Sequence, residues 1–252
     1  MRQECLGIWC LLGLVLLSAC GRNIEDNNYP SDGEEAAEIN LQLGVEYMRR
    51  GRNDIALNRL TKALKLDDNY ADAHNAIAVL YERLGLNVDA KRHYQRAIAL
   101  KPNDSDIHNN YGQFLCKQQQ WEEANQAFLK ALENPVYQTP EIPYTNAGLC
   151  ALHHHNINQA ETYFRQALQS NPKFARALYQ MAQLNYEQKH YHQARDYLTR
   201  YESVAPDAQE TLWLGIRLAR ELNKPEAEAN YAHRLRQNFP DAVQTQLLNR
   251  SE

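Results

Sequence analysis

The feature that most constrains the fold of this chain is an internal repeat with a period of about 34 residues. Alanines recur at this period along most of the chain, and each spacing between them lies close to it. A unit this short cannot bury its apolar face alone, so successive copies must stack against one another. The repeat therefore predicts a solenoid rather than a globular domain with one central core. The alanines that set the period are Ala56, Ala90, Ala124, Ala160, Ala194 and Ala227.

Other positions keep the same phase and identify the unit as a pair of helices. A glycine or alanine stands twelve residues before each of the first five alanines, and an aromatic residue or leucine stands four residues after each alanine. Small residues let two antiparallel helices cross closely, and the larger residue lies one helical turn further along. This pattern resembles the tetratricopeptide repeat. It predicts an all-α superhelix of about six helix-turn-helix repeats, at 37–70, 71–104, 105–138, 141–174, 175–208 and 208–241.

Two departures from the period mark special places in the stack. Thr139 and Pro140 are inserted before the fourth repeat, in a proline-rich segment that should break the helix and change the path of the stack. The sixth repeat is one residue short and has Arg234 where the first four repeats have a second alanine. Terminal repeats are often atypical because they cap the solenoid.

The N-terminus is predicted to be a targeting segment rather than part of the fold. The apolar run over 6–17 has about a dozen residues, whereas a membrane-spanning helix needs about 20. The run ends in Leu-Ser-Ala-Cys, which resembles the lipobox of bacterial lipoproteins, so 1–19 is interpreted as a lipoprotein signal peptide and Cys20 as the acylated residue. Several acyl chains hold a protein stably on a membrane. The alternative is an ordinary signal peptide that happens to end in cysteine.

The residues after the lipobox predict a tether and a location. Segment 20–35 is polar and acidic and cannot bury a core, so we expect a flexible tether there, followed by the repeat domain at 36–252. Gly21 follows the cysteine where lipoproteins kept in the inner membrane usually have aspartate. By that resemblance we expect a lipid anchor in the outer membrane, with the protein facing the periplasm.

Two cysteines remain once the signal peptide is removed and Cys20 is acylated. Cys116 and Cys150 are one repeat period apart, which places them at similar heights on the first helices of neighbouring repeats. Such helices pack about 8–10 Å apart, and the periplasm permits disulfides. We therefore predict a disulfide between them. The alternative is two reduced cysteines that pack as small apolar side chains.

Composition and motifs argue against catalysis and against several classes of ligand. The net charge is −4, so no basic field exists to attract nucleic acid. No phosphate-binding loop, nucleophile elbow or Cys-x-x-Cys motif occurs, and we expect no catalytic residue, cofactor or small-molecule substrate. His153, His154 and His155 invite a metal-site interpretation. Three adjacent residues in a predicted turn rarely converge on one ion, so we interpret them as a solvated turn and expect no metal.

The first helix of each tetratricopeptide repeat lines a concave groove, and this predicts a partner-binding surface. The lysine and asparagine that grip a terminal carboxylate in one class of these domains are absent, since Leu41 and Val45 stand at their positions. An apolar groove favours a peptide helix or an extended apolar segment as ligand. The alternative is that its apolar residues pack under the N-terminal segment or a neighbour. The predicted partner-binding residues are Leu41, Val45, Met48, Asn75 and Val79.

Local sequences point to a particular family. The strings NLQLGVEYMRRG, HNNYGQFLC, YTNAGLCAL and LWLGIRLAR, together with the lipobox, tether and six repeats, resemble the PilF/PilW family of type IV pilus biogenesis lipoproteins, the pilotins. The resemblance implies a non-enzymatic protein that binds the pilus secretin and promotes its outer-membrane localisation and multimerisation. The alternative function is a repeat lipoprotein that scaffolds peptidoglycan enzymes or outer-membrane protein assembly.

Overall fold

The computed structural model describes residues 32–250, which form six antiparallel helix pairs and one further helix. This is the all-α repeat superhelix that the repeat period predicts. The helices are α1 Asp32–Arg49, α2 Asn53–Leu66, α3 Ala71–Arg83, α4 Asn87–Leu100, α5 Ser105–Lys117, α6 Trp121–Ala131, α7 Glu141–His153, α8 Ile157–Ser170, α9 Ala175–Glu187, α10 Tyr191–Glu202, α11 Gln209–Glu221, α12 Pro225–Asn238 and α13 Val243–Arg250.

The stack has an inner and an outer layer, and this gives it a concave face. The first helices of successive repeats contact one another, from α1 with α3 through to α9 with α11. Within the described part of the chain, the second helices of successive repeats make no such contacts. The outer helices are therefore spread further apart than the inner ones. The solenoid curves around the first helices, whose free faces form the concave surface.

Small residues at the helix crossings allow the two helices of a repeat to approach closely. A Cβ atom added at Gly148 would lie 2.5 Å from Cε1 of Phe164, and one added at Gly112 would lie 2.8 Å from the ring of Phe128. These rings are fully buried, and the alanines of the period are 0% exposed except Ala227 in the last pair. The recurring glycine or alanine is therefore a direct consequence of the aromatic or leucine side chain that occupies the crossing.

The turn within each repeat contains a residue with positive φ at the same phase. The first two turns use Gly51 (φ 73°) and Gly85 (φ 75°). The residue after this position closes the turn with a bond back to the helix; the amide of Asn156, for example, donates to the carbonyl of Ala151 at 2.8 Å. This is the helix C-cap that usually requires glycine, and in four of the turns a residue other than glycine occupies the left-handed position. Those four positions are Gln119 (φ 59°), His155 (φ 56°), Lys189 (φ 64°) and Asn223 (φ 51°).

The start of the repeat body differs from the sequence-based boundary. Helix α1 begins at Asp32, so residues 32–35, which the sequence analysis assigned to the tether, belong to the first helix. The acidic side chains of Glu34 and Glu35 favour this extension, because negative charge is stabilising near a helix N-terminus. The proline-rich insertion lies in the connection between Ala131 and Glu141, which is the longest between any two of the described helices.

The C-terminal end is capped by α13, a helix that the sequence analysis did not anticipate. It packs on α11 and α12 and buries Leu248, which is 1% exposed. Arg234, the residue that makes the sixth repeat irregular, pairs with Glu202 at 3.3 Å and also with Asp207. These contacts tie the sixth repeat to the end of α10 and to the connection that follows it. None of the helices within 32–250 has the length and apolar character needed to cross a bilayer.

Candidate partner-binding groove

An open groove of about 590 Å³ lies on the concave face at the N-terminal end of the stack. It runs between α1 and α3 and reaches Asn110 on α5. The structure brings together there all the residues that the sequence analysis proposed for partner binding. These are Leu41, Val45, Met48, Asn75 and Val79.

The apolar side chains of the groove rest on the core and keep one face open. Leu41, Val45 and Val79 are half-buried and pack against the cluster beneath them. Met48 differs from the expectation for a contact residue, since it is only 8% exposed and packs among Ala56, Leu60 and Ala76. Its flexible side chain fills the gap between the first two repeats, so it forms the floor of the groove and offers a partner little surface.

Charged residues stand at the rim of the groove and are paired. Glu46 accepts a bond from Arg50 at 2.7 Å, and Asp72 pairs with Lys101 at 2.9 Å. The hydrogen bond to Asp72 raises the pKa of Lys101, so this lysine stays charged at neutral pH. Because these ion pairs are exposed, each adds little to stability. Between these pairs the wall of the groove is formed by Leu41, Val45, Asn75 and Val79.

A row of asparagines continues from the groove along the inner helices, and the sequence analysis named only its first member, Asn75, as a partner-binding residue. Its middle members, Asn109 and Asn146, are buried. The amide of Asn110 donates to Asn75 at 3.4 Å, and Asn146 donates to Asn109 at 2.9 Å. Arg176 donates to the side-chain oxygen of Asn146 at 3.0 Å and ends the row. The row crosses α3, α5, α7 and α9. The signal available in the sequence was an asparagine at the fifth or sixth residue of three successive first helices.

A disulfide joins Cys116 on α5 to Cys150 on α7, with 5.8 Å between their Cα atoms. This is the pairing expected from their one-repeat separation, and the Cα distance lies within the range that disulfides require. The bond links the third repeat to the fourth across the proline-rich connection. The pairing therefore fixes the relative position of the inner helices α5 and α7, which belong to the repeats on either side of the longest connection in the described stack.

The three histidines lie at the turn between α7 and α8 and do not converge. His155 adopts positive φ, and the ring of His154 stacks on Trp121 at 5.3 Å between ring centroids. Within residues 32–250, no group of three or more metal-ligating side chains is placed to hold a metal ion. Cys20, the predicted lipidation site, and the signal peptide lie outside the described residues.

Family models match along the repeat body. A model described as TPR repeat matches residues 36–85, and models described as tetratricopeptide repeat match 71–104, 93–126 and 151–214. The type IV pilus assembly protein PilF of Pseudomonas aeruginosa is 32% identical over 234 residues, covering 92% of this chain and 93% of that protein. The chain belongs to the PilF/PilW family of type IV pilus biogenesis proteins.

Solved structures of the PilF/PilW family have the same architecture. The structure of Pseudomonas aeruginosa PilF superposes with a TM-score of 0.75 at 31% identity, covering 88% of this chain and 100% of that one. The crystal structure of PilW, described as a widely conserved type IV pilus biogenesis factor, gives a TM-score of 0.74 at 31% identity, covering 84% and 97%.

A second relative matches over part of the chain. An uncharacterized protein of Haemophilus influenzae is 34% identical over 136 residues, which is 54% of this chain and 74% of that protein. Tetratricopeptide repeats are protein-binding scaffolds, and the PilF/PilW family acts in pilus biogenesis. The resemblance to this family found in the sequence is therefore confirmed, and the concave groove belongs to a protein-binding scaffold.

Proposed function

We propose that this protein is a pilotin. In this proposal it is an outer-membrane lipoprotein that binds the type IV pilus secretin and promotes its outer-membrane localisation and multimerisation. The observation that carries the proposal is the open apolar groove on the first two repeats of a chain that belongs to the PilF/PilW family. Removing the exposed parts of these aliphatic side chains from water makes the free energy of partner binding more favourable.

The groove is suited to holding a secretin subunit, and the anchor is suited to positioning it. Leu41, Val45 and Val79 present apolar surface on a rigid helical scaffold, so little conformational entropy is lost on binding. Acylation of Cys20 would keep that surface close to the outer membrane and raise its local concentration there. In this arrangement the protein would hold secretin subunits at the outer membrane, which would promote both their localisation and their multimerisation.

Pull-down from solubilised outer membrane tests the role of the groove. Val45→Asp places a charge on the apolar surface and should weaken capture of the secretin by roughly 2–3 kcal/mol if that surface is desolvated on binding. Leu43→Asp is the matched control, because Leu43 lies on the same helix, is 37% exposed and does not line the groove. Secretin capture by a folded Val45→Asp protein at the level of the control would exclude the groove.

The same pull-down separates the proposal from the scaffolding alternative. Recovery of peptidoglycan enzymes or outer-membrane assembly factors, without secretin, would favour the alternative. The anchor is tested separately with Cys20→Ala, which should remove the protein from the outer-membrane fraction. Complete retention of that variant in the fraction would show that the lipid is not the anchor.

A further inference from the structure

The outer side of α1, at the N-terminal end of the stack, is apolar and uncovered. Ile39 is 49% exposed and Leu43 is 37% exposed. Among the described helices α1 contacts only α2 and α3, so no helix covers its outer side. The C-terminal end of the stack differs, because α13 packs on α11 and α12 there. The N-terminal end therefore presents large aliphatic side chains to solvent.

These exposed residues occupy positions that form contacts between repeats elsewhere in the stack. One period after Ile39 comes Ala73, which is 0% exposed, and one period after Leu43 comes Ile77, which is 2% exposed. Ile77 packs in the cluster that contains Leu60 of the first repeat. Ile39 and Leu43 thus have the character of repeat-packing residues, although no described repeat packs on them. Covering such an apolar surface is favourable because it removes the surface from water.

The side chains along this side of α1 are spaced symmetrically about Leu43. Residues three or four positions apart lie on the same side of a helix. Ile39 and Tyr47 lie four positions before and after Leu43, and Ala36 and Arg50 lie seven positions before and after it. Two antiparallel copies of this stripe would meet in register, with Leu43 on Leu43 at a two-fold axis and Ile39 on the partner's Tyr47. We refer to these five residues as the end face.

The charges of α1 suit the same antiparallel pairing. Its first turn carries Glu34 and Glu35, whereas Arg49 and Arg50 stand at its other end. Glu46 lies 2.7 Å from Arg50 and 4.0 Å from Arg49, so one carboxylate serves two guanidinium groups. An antiparallel pair places the acidic start of each α1 against the cationic end of its partner, and a parallel pair would place like charges together. Antiparallel helix dipoles favour the same arrangement.

The charge pattern also favours a second copy over a phospholipid surface. Helices that lie on membranes carry lysine and arginine along their polar side. Here the acidic start of α1 would lie against anionic headgroups, which would repel it. A second copy instead supplies the cations that this acidic end lacks. With one helix from each copy the interface is small, and small interfaces associate weakly.

We propose that two copies of this chain associate through the end face, with α1 packed antiparallel on α1 of the partner about a two-fold axis at Leu43. Leu41 and Val45 line the groove on another side of α1, so the groove of each copy stays open. The dimer thereby carries two grooves, and a target with two binding segments is held by both. This association does not depend on the target being the secretin.

Cysteine cross-linking tests whether Leu43 meets its own copy. In full-length protein purified in detergent and oxidised, Leu43→Cys should form a disulfide-linked dimer about tenfold faster than Val88→Cys, because residues on a two-fold axis are held together. Val88 is the matched control, since it is 83% exposed and lies at the start of α4. Equal rates would overturn the proposal. So would a thiol at position 43 that does not cross-link and is shielded from maleimide only by phospholipid vesicles, because a bilayer would then cover the end face.

Sedimentation equilibrium in density-matched detergent tests the apolar contact. We expect a monomer–dimer equilibrium with a Kd on the order of 10–100 µM. Leu43→Asp places two like charges at the axis and should raise the Kd at least about thirtyfold. Leu129→Asp is the control, since Leu129 is 46% exposed on α6, and the melting temperatures show that both variants are folded. A wild-type protein that is monomeric up to about 1 mM, or equal effects of the two variants, would overturn the proposal.

A charge reversal tests the antiparallel direction. Glu35→Lys places a cation near the partner's Arg50 and should raise the Kd about fivefold at low salt, with most of the effect lost at high salt. Glu122→Lys on α6 makes the same change in net charge and should alter the Kd by less than about twofold. Equal effects would exclude the antiparallel arrangement. Because Leu43→Asp leaves the groove intact, secretin pull-down and sedimentation report on the proposed function and on the dimer separately.

Discussion

Cys116 and Cys150 form a covalent link between α5 and α7, the inner helices on either side of the longest connection in the stack. Their Cα atoms are 5.8 Å apart although the insertion of Thr139 and Pro140 shifts the two cysteines to different positions along their helices. The disulfide therefore holds the third and fourth repeats together at the point where the insertion interrupts the repeat. Its contribution to stability follows from the length of chain that it closes.

Removing the disulfide should destabilise the protein substantially. The two cysteines are separated by 34 positions in the chain, and the chain-entropy model gives about 3–4 kcal/mol for a loop of this length. Cys116→Ser, Cys150→Ser and the double variant should all lose a similar free energy of unfolding in urea titration. Mass spectrometry of periplasmically expressed protein, alkylated without reduction, gives the direct check. Two labelled thiols at these positions would contradict the disulfide.

Replacing His155 with glycine should stabilise the protein. Its φ of 56° is a conformation that costs a residue with a side chain about 1–2 kcal/mol, and glycine already occupies the equivalent position at Gly85. Glycine also raises the conformational entropy of the unfolded chain, which offsets part of this gain. We therefore expect the free energy of unfolding to rise by about 0.5–1 kcal/mol. His154→Gly is the control, since His154 has φ −85° and should lose stability. Equal effects of both variants would exclude the backbone explanation.

Gly148→Ala should destabilise the fourth repeat by about 1–3 kcal/mol, because the new methyl group overlaps the ring of Phe164. The fifth repeat supplies a compatible pair in Ala182 and Leu198, both buried. Adding Phe164→Leu to Gly148→Ala should therefore recover part of the loss, whereas Phe164→Leu alone should lower stability by leaving space at the crossing. Additive losses in the double variant would show that the two side chains do not share this volume.

Much of the fold follows from one period because each repeat uses the same local chemistry. The phase of Ala90 and Ala124 placed helices α3 to α6 correctly, since a small residue is needed wherever two helices cross. Helix α13 was missed because a single terminal helix has no second copy from which a period can be read. The non-glycine residues at positive φ, such as Gln119, were also missed, although Gln119 stands one repeat period after Gly85.

The sequence predicted which helices line the candidate site. It did not predict how deeply each side chain is buried or which side chains of neighbouring repeats contact one another. Position along the first helix was enough to place Leu41 and Val45 in the groove. It could not show that Met48 is buried, because that depends on how the second repeat packs over it. It also could not show that Asn109 and Asn146, on successive inner helices, form a hydrogen bond, because this requires the relative position of two repeats.

A pair of histidines in the second repeat should make stability depend on pH. The Nδ1 atoms of His74 on α3 and His93 on α4 lie 2.9 Å apart, and Nε2 of His74 lies 3.2 Å from the carbonyl of Asp68. If Nε2 of His74 donates to that carbonyl, its Nδ1 accepts from His93. The pair then holds one proton between the rings. A second proton there would place two N–H groups against each other.

The direction of the pH effect follows from the pKa of His93. Burial lowers this pKa from 6.5 to about 4, with smaller contributions from the nearby His74 and Arg92. Between pH 6.5 and 4 the unfolded chain binds more protons than the folded one, so the free energy of unfolding falls as the pH falls through this window. Because His93 is only half-buried, we expect a loss of about 1–2 kcal/mol after solvent screening. His93→Gln should flatten the profile measured by urea titration, and the exposed His192→Gln should not. An unchanged profile in His93→Gln would show that this pair does not set the pH dependence.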